Sequence, residues 1–268
     1  MSFSKKVIHA LHEKYNQDHI FLKEVTNVSN TSAVLFLLGS QSYKKGVSSE
    51  LCLILNKRSS RVKQPGDLCC PGGSISSRVD SYLAKLLYLP GSPLTRWPFW
   101  SQWSNHRHQE ARNLSLLFAT GLRESFEEMR LNPLGLKFLG PLPFQQLVMF
   151  KRVIYPMVCR VSSQKRFFLN WEVDKAIYIP IRNLLNPSNY ACYRLDTNIP
   201  GENTKKSPYN DYPCFLHEYQ NRREILWGAT FHITMAFLEI VFQFNPPNIE
   251  SLPVVVGTLD ENYLTGSR

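Results

Sequence analysis

The order of apolar and polar positions along the chain predicts alternating helices and strands. Residues 3–17 place Val7, Ile8, Leu11 and Tyr15 on one helical face and Lys5, Lys6 and Lys14 outside it, a short amphipathic helix. After a polar break over 27–31, the continuous apolar run Ala33 to Leu38 reads as a strand buried on both faces and ended by Gly39. A polar loop over 41–50 leads to a second strand over 51–58. Pro65-Gly66-Asp67 and then Pro71-Gly72-Gly73 mark sharp turns, where glycine allows the backbone to bend or to approach a ligand. Downstream, strands are expected over 136–142, 153–161 and 176–181, then a short helix over 181–185. A polar loop over 186–213, a short strand over 215–218 and a long helix over 223–242 follow. The tail, 245–268, carries a β-like Val254-Val255-Val256 whose role the pattern does not define.

Between these halves lies the most informative helix. Leu114, Leu117, Phe118, Gly121, Leu122, Ser125, Phe126 and Met129 recur at the spacing of a buried stripe, and Pro133 stops the helix. The other face carries Arg123-Glu124-Ser125-Phe126-Glu127-Glu128. Glu124 and Glu128 stand one turn apart with Glu127 beside them, and Arg123 is the i,i+4 partner of Glu127. Three carboxylates gathered on one face repel one another unless a cation sits among them, and hard oxygen donors suit Mg²⁺ or Mn²⁺.

Composition narrows the class. Hydrophobic residues at 43% and charged residues at 19% exclude a disordered chain, and 268 residues suffice for a substantial core. A net charge of +10 leaves two readings open, an anionic partner or a merely basic globular protein. The six cysteines have neither metal-ligand nor disulfide-framework spacing, and the first residues lack the apolar run of a secretory signal. Both features favour a reduced, cytoplasmic protein. The apolar segment 225–244 contains His232, Glu239 and Gln243, so it is expected to be a buried helix and no membrane span.

Gly73 together with Arg123-Glu124-Ser125-Phe126-Glu127-Glu128-Met129-Arg130-Leu131 resembles the Nudix box, G-x5-E-x7-R-E-U-x-E-E-x-G-U. The stretch from Leu53 to Gly73, with Arg58-Ser59 and Pro71-Gly72-Gly73, resembles the additional motif of coenzyme A diphosphatases within that superfamily; Asp67 and Cys70 stand where the motif has Glu and Phe. The stretch from Trp171 to Ile181 is similar to a later strand of the family, and Glu224-Ile225-Leu226-Trp227-Gly228-Ala229-Thr230 to the start of its last helix. Three departures stand out. Gly73 and Arg123 are separated by 49 residues where the box has 13, an insertion of 36. No acid occupies the place of the box's first Glu, since Ser115 lies eight residues before Arg123. Arg130 replaces the box's last Gly.

The resemblance implies an α/β fold, the Nudix α/β/α sandwich with a mixed sheet, in a single domain over 1–268. It would carry a mostly helical insertion inside the box, 74–111, and a C-terminal extension, 245–268. It implies metal-dependent hydrolysis of a nucleoside diphosphate-linked substrate, coenzyme A or acyl-CoA first, yielding phosphopantetheine and 3′,5′-ADP. Alternatives are ADP-ribose, a dinucleotide, a capped RNA end, or a non-catalytic nucleotide-binding regulator. Glu124, Glu127, Glu128 and the Gly72 carbonyl would bind Mg²⁺ or Mn²⁺, with Arg123 in support. Glu172 would complete the site or act as base, unless it is an ordinary surface residue. Arg58, Arg61, Lys63 and Gly73 would receive substrate phosphates, unless the first three only form a solvated loop. The partner would be a small nucleotide; nucleic acid is not expected, and the oligomeric state stays open, a homodimer included. The insertion, rich in Trp97, Trp100 and Trp103, reads either as a hairpin with its own small core or as a lid or apolar groove. His106 and His108 lack further ligands at metal spacing.

Overall fold

Helix α1 (Phe3–Gln17) is followed by strands β1 (Thr31–Gln41), β2 (Glu50–Arg58), β3 (Leu68–Cys69) and β4 (Gly72–Ser74). Helices α2 (Ser77–Leu86), α3 (Trp100–His106) and α4 (His108–Met129) come next, then β5 (Leu136–Pro141), β6 (Gln145–Leu147), β7 (Arg152–Val161) and β8 (Val173–Pro180). The chain continues through α5 (Ile181–Leu184), β9 (Tyr190–Asp196), β10 (Tyr209–Tyr219), β11 (Arg222–Leu226), α6 (Gly228–Phe242) and β12 (Val254–Thr258). This computed structural model describes residues 2–17, 21, 30–41, 49–147, 152–196, 209–258 and 263. Parts of the expected loops at 41–50 and 186–213, and most of the polar break at 27–31, lie outside them.

β1 is the axis of the larger, mixed sheet, whose order is β3-β2-β1-β7-β5. It runs antiparallel to β2 and β4 and parallel to β7, while β8 pairs with β2 and β6 with β7. A smaller sheet follows the order β11-β10-β9-β12, with β12 parallel to β9. Consecutive side chains of β1 point to opposite faces. Leu35 meets α4 so closely that a Cβ on Gly121 would lie 2.8 Å from Leu35 Cδ2. Phe36 meets α6, its ring 4.6 Å from that of Phe237. The sheet is thus layered between helices, the expected α/β/α arrangement. Each fully buried Leu or Phe along β1 contributes about 1.5–3 kcal/mol.

Several expected elements differ. Residues 223–226, expected within the last helix, belong to β11, which pairs with β10; Leu226 pairs with Phe215 and Ile225 with Leu216. Trp227 is extended at φ −144°, ψ −177°, so the helix begins only at Gly228. The loop expected over 186–213 contains all of β9 and the start of β10, and Val254-Val255-Val256 extends that sheet. Phe126, expected in the apolar stripe of α4, is 45% exposed and lies under the Arg130 guanidinium, 4.9 Å from its ring centroid. Among the described residues no helix is long and apolar enough to cross a membrane.

The insertion is helical, and its apolar residues keep no separate core. Trp97, Trp100 and Trp103 are buried. Trp97 donates its indole N–H to Leu139 O of β5 (3.2 Å) and packs edge-on to Phe138 and Trp103. The detour therefore extends the main core beyond β5. Tyr82, Leu86 and Leu89 face outward.

Candidate functional site

The site forms where the glycine turn meets α4. β4 pairs with β1, placing Gly72 beside Val34 and Gly73 beside Ala33. Gly72 has φ +145°, and a Cβ there would collide with the Ala33 carbonyl and lie 2.6 Å from Val34 Cα. A Cβ on Gly73 would sit 2.5 Å from the carboxyl carbon of Glu124. Glycine at both positions lets the acidic face of α4 press directly onto the turn.

Two of the three glutamates reach the turn. Glu128 Oε2 accepts from Asn56 Nδ2 (2.9 Å) and from the Gly72 backbone N–H (3.3 Å). Burial pushes its carboxyl up to about 8; the Gly72 N–H and Asn56 oppose this, and the charges of Glu124 and Glu172 add to it. Burial also raises Glu124, against the pull of Arg123. Glu127 turns away: it is 54% exposed and paired with Arg123 Nη1 at 3.3 Å. Glu172 joins Glu128, Asn56, Arg58 and Cys69 around a cavity of about 20 Å³, room for about one water molecule. Arg58 reaches this cavity while donating from Nε to Lys63 O (2.7 Å). Arg61 and Lys63 are exposed on the adjoining loop.

Arg123 is the organiser, and its principal partner is an acid absent from the sequence-based site. Asp80 on α2 is fully buried and accepts from Arg123 Nε (2.7 Å) and Nη2 (3.2 Å), Thr120 Oγ1 (2.9 Å) and Ser76 N (2.6 Å). Arg123 Nη2 also donates to Ser74 O (3.0 Å) and pairs with Glu124 (3.0 Å). Burial alone would lower the guanidinium's pKa; bonding to Asp80 and the charges of Glu124 and Asp80 outweigh it and hold it above its ordinary value. Asp80 pairs with Arg123 from the near side of the insertion, seven positions after Gly73. Arg130 takes the left-handed conformation (φ 53°, ψ 41°) that the missing glycine would have supplied, at a cost of about 1 kcal/mol.

Two other residues were not foreseen. Lys57 pairs with the buried Glu224 (2.7 Å), joining β2 to β11. Asn56 is 1% exposed, donates to Glu128 and leaves its Oδ1 buried without a hydrogen-bond partner. Among the described residues no three His, Cys, Asp or Glu groups already stand at a common ligand distance. The donor set is nevertheless all oxygen: Glu124, Glu128 and Glu172, plus an unpaired amide oxygen. A half-buried carboxylate with its pKa raised in this way is one that a divalent cation would relieve. These residues fit Mg²⁺ or Mn²⁺.

A pH test of this electrostatic arrangement follows. The fold favours protonated Glu128, which releases its proton near 8 rather than at 4.5. Between those values the unfolded chain binds fewer protons, so in EDTA this group lowers stability as pH rises, by at most about 1.4 kcal/mol per unit. Below about 4.5 its effect vanishes. Tm measured from pH 5 to 8.5 should fall more steeply for the wild type than for Glu128→Gln, and Mg²⁺ should stabilise the wild type most at the alkaline end. Parallel curves would refute it.

No family model matches this sequence, and no curated protein matches it. Solved structures do overlap it. A Nudix hydrolase from M. Smegmatis, RenU, is 11% identical, over 58% of this chain and 73% of that one, at TM-score 0.35. A C. elegans Ap4A hydrolase binary complex is 11% identical, over 58% and 83%, at TM-score 0.37. The NUDIX domain of Shewanella oneidensis NrtR, complexed with ADP ribose, is 15% identical, over 65% and 85%, at TM-score 0.34. TM-scores this low support no assignment of activity, which must rest on the residues themselves.

Proposed function

We propose that this chain is a Nudix-type diphosphatase that hydrolyses a nucleoside diphosphate-linked substrate, coenzyme A or acyl-CoA first among them. The observation that carries the reading is the half-buried Glu128, held by Gly72 N–H and Asn56, lining one cavity with Glu172 and standing one turn from Glu124, which lies against Gly73. Arg58-Ser59 and Pro71-Gly72-Gly73, which resemble the coenzyme A diphosphatase motif, favour that substrate over other dinucleotides. Glu124 and Glu128, with the Gly72 carbonyl, would hold Mg²⁺ or Mn²⁺. When bound, the cation neutralises diphosphate charge and lowers the pKa of coordinated water. Glu127, half-exposed beside Arg123, would join them only by turning inward. Glu172 accepts the proton of the attacking water, and Arg58, Arg61 and Lys63 receive phosphates. Arg123, locked by Asp80, fixes Glu124 so that the acidic face does not rearrange as charge develops.

The reading is tested by incubating the protein with coenzyme A, ADP-ribose and a diadenosine polyphosphate, with Mg²⁺, with Mn²⁺ and with EDTA. Coenzyme A should yield phosphopantetheine and 3′,5′-ADP only with a cation present, faster than the other two substrates turn over. Cleavage of another substrate alone would move the assignment within the enzyme class. Nucleotide binding without turnover of any of them would make the chain a regulator, a reading favoured by the lack of a ready-made carboxylate cluster among the described residues.

A further inference from the structure

The loop carrying the proposed phosphate-binding cations is staked from outside at both ends. At its start, Ser59 N donates to Glu172 O (2.9 Å) and Ser59 Oγ to Trp171 O (2.8 Å). At its end, the tie comes from the far C-terminal segment. Gln64 N donates to Tyr263 O (2.7 Å), and the Tyr263 hydroxyl donates to Asp67 Oδ2 (2.5 Å). The second oxygen of Asp67 accepts from Trp227 Nε1 (3.1 Å), and the Trp227 and Tyr263 rings lie 6.3 Å apart. Within the loop, Arg58 N donates to Asp67 O and Gly66 N to Arg58 O, both at 2.9 Å. Within its middle, Arg58 Nε donates to Lys63 O (2.7 Å), the bonds from Arg61 N to Ser59 Oγ (3.3 Å) and Val62 N to Ser59 O (3.4 Å) are longer, and Gln64 has φ +56°.

We infer that Tyr263 is a positioning residue for substrate: it clamps Gln64 and Asp67, and so presents Arg58, Arg61 and Lys63 in the arrangement that receives the phosphates. This rests on the diphosphatase reading, but the clamp itself does not. Three long cationic side chains on a loose loop would lose conformational entropy when they converged on an anion, whereas a loop fixed beforehand spares most of that cost. The Asp67 carboxylate is the hub, because it takes one donor from the tail and one from the start of α6. Without the tail, one of its oxygens and the Gln64 N–H both lose their partners.

Two measurements on the full-length protein test this. In limited trypsin digestion, Tyr263→Phe should speed cleavage after Arg61 and Lys63 relative to the rest of the chain, with Tm little changed. Unchanged cleavage at those two bonds, or faster cleavage spread evenly along the chain, overturns the clamp. In steady-state hydrolysis of coenzyme A, Tyr263→Phe should raise KM by about tenfold with a much smaller change in kcat. Asp67→Ala should do the same, and the double variant should be no worse than either single one. Additive effects, or a loss confined to kcat, overturn the positioning role. If the wild type cleaves none of the substrates, the diphosphatase reading fails, while the trypsin result still decides the clamp.

Discussion

Replacing Glu128 with glutamine should lower cation-dependent diphosphate hydrolysis by about 10³-fold while leaving the fold intact. The amide has the same shape, and its oxygen can still accept from Asn56 and Gly72, so the local packing survives. What is lost is the negative charge, held at high free energy by burial and by the neighbouring Glu124 and Glu172. That charge is what would hold Mg²⁺ or Mn²⁺ in the proposed site. The metal-free variant should be at least as stable as the wild type at pH 8, yet gain little Tm on adding Mg²⁺. Substrate KM should move far less than kcat, since the cations proposed to receive the phosphates are untouched. Turnover near the wild-type rate with unchanged cation dependence would remove Glu128 from the site.

The second large effect belongs to Asp80. Asp80→Ala should destabilise the protein by about 3–5 kcal/mol, because it strands the Arg123 guanidinium, only 14% exposed, without its principal partner. Ser76 N and Thr120 Oγ1 lose an acceptor in the same step. For a chain of this size that corresponds to a fall of roughly 10 °C in Tm. Activity should fall as well, since Arg123 also fixes Glu124 against Gly73. The double variant Asp80→Ala with Arg123→Met should recover part of the lost stability, because an unpaired buried charge costs more than no charge at all. Equilibrium unfolding in urea measures both. A loss below about 1 kcal/mol for Asp80→Ala would mean that the buried pair does not hold α2 to α4.

Most of the site's scaffold is legible in the sequence because two strong signals coincide. The stripe of α4 has the helical period over several turns, and Pro71-Gly72-Gly73 can only be a turn, so both halves are located before any fold is known. Asp80 escapes because the search for the missing acid runs back from Arg123, across the insertion, to Ser115. Counting forward from Gly73 reaches it one position beyond the place the box assigns. A carboxylate in the first turn of a helix opened by Ser76 was the available local signal. β11 was read as helix because Ile225 and Leu226 adjoin the apolar run of α6, and a short apolar segment has no period of its own. β9 reads as loop because, although five of its seven residues are apolar, it is short and set between the polar stretches 186–189 and 197–208. Its partner β10 follows only after residues 197–208 and its other partner, β12, lies some way beyond α6, and such pairing leaves no local trace. Phe126 has the spacing of a core residue, but the exposed Arg130 stacks over it, a contact that depends on the unusual backbone of Arg130.

The long path between Asp80 and Arg123 also has a consequence in time. The two are 43 positions apart, so on a ribosome adding about 5–20 residues per second, roughly two to nine seconds separate their synthesis. Throughout that interval the nascent chain carries the aspartate and the glycine turn with no guanidinium to close them. The tryptophans emerge before Arg123, but Phe138 and Leu139, against which Trp97 docks, emerge only after it. Docking of the tryptophans during translation therefore waits for β5, the cavity beside Glu128 waits for Glu172, and a chain released before Arg123 would present an unpaired aspartate beside exposed indoles.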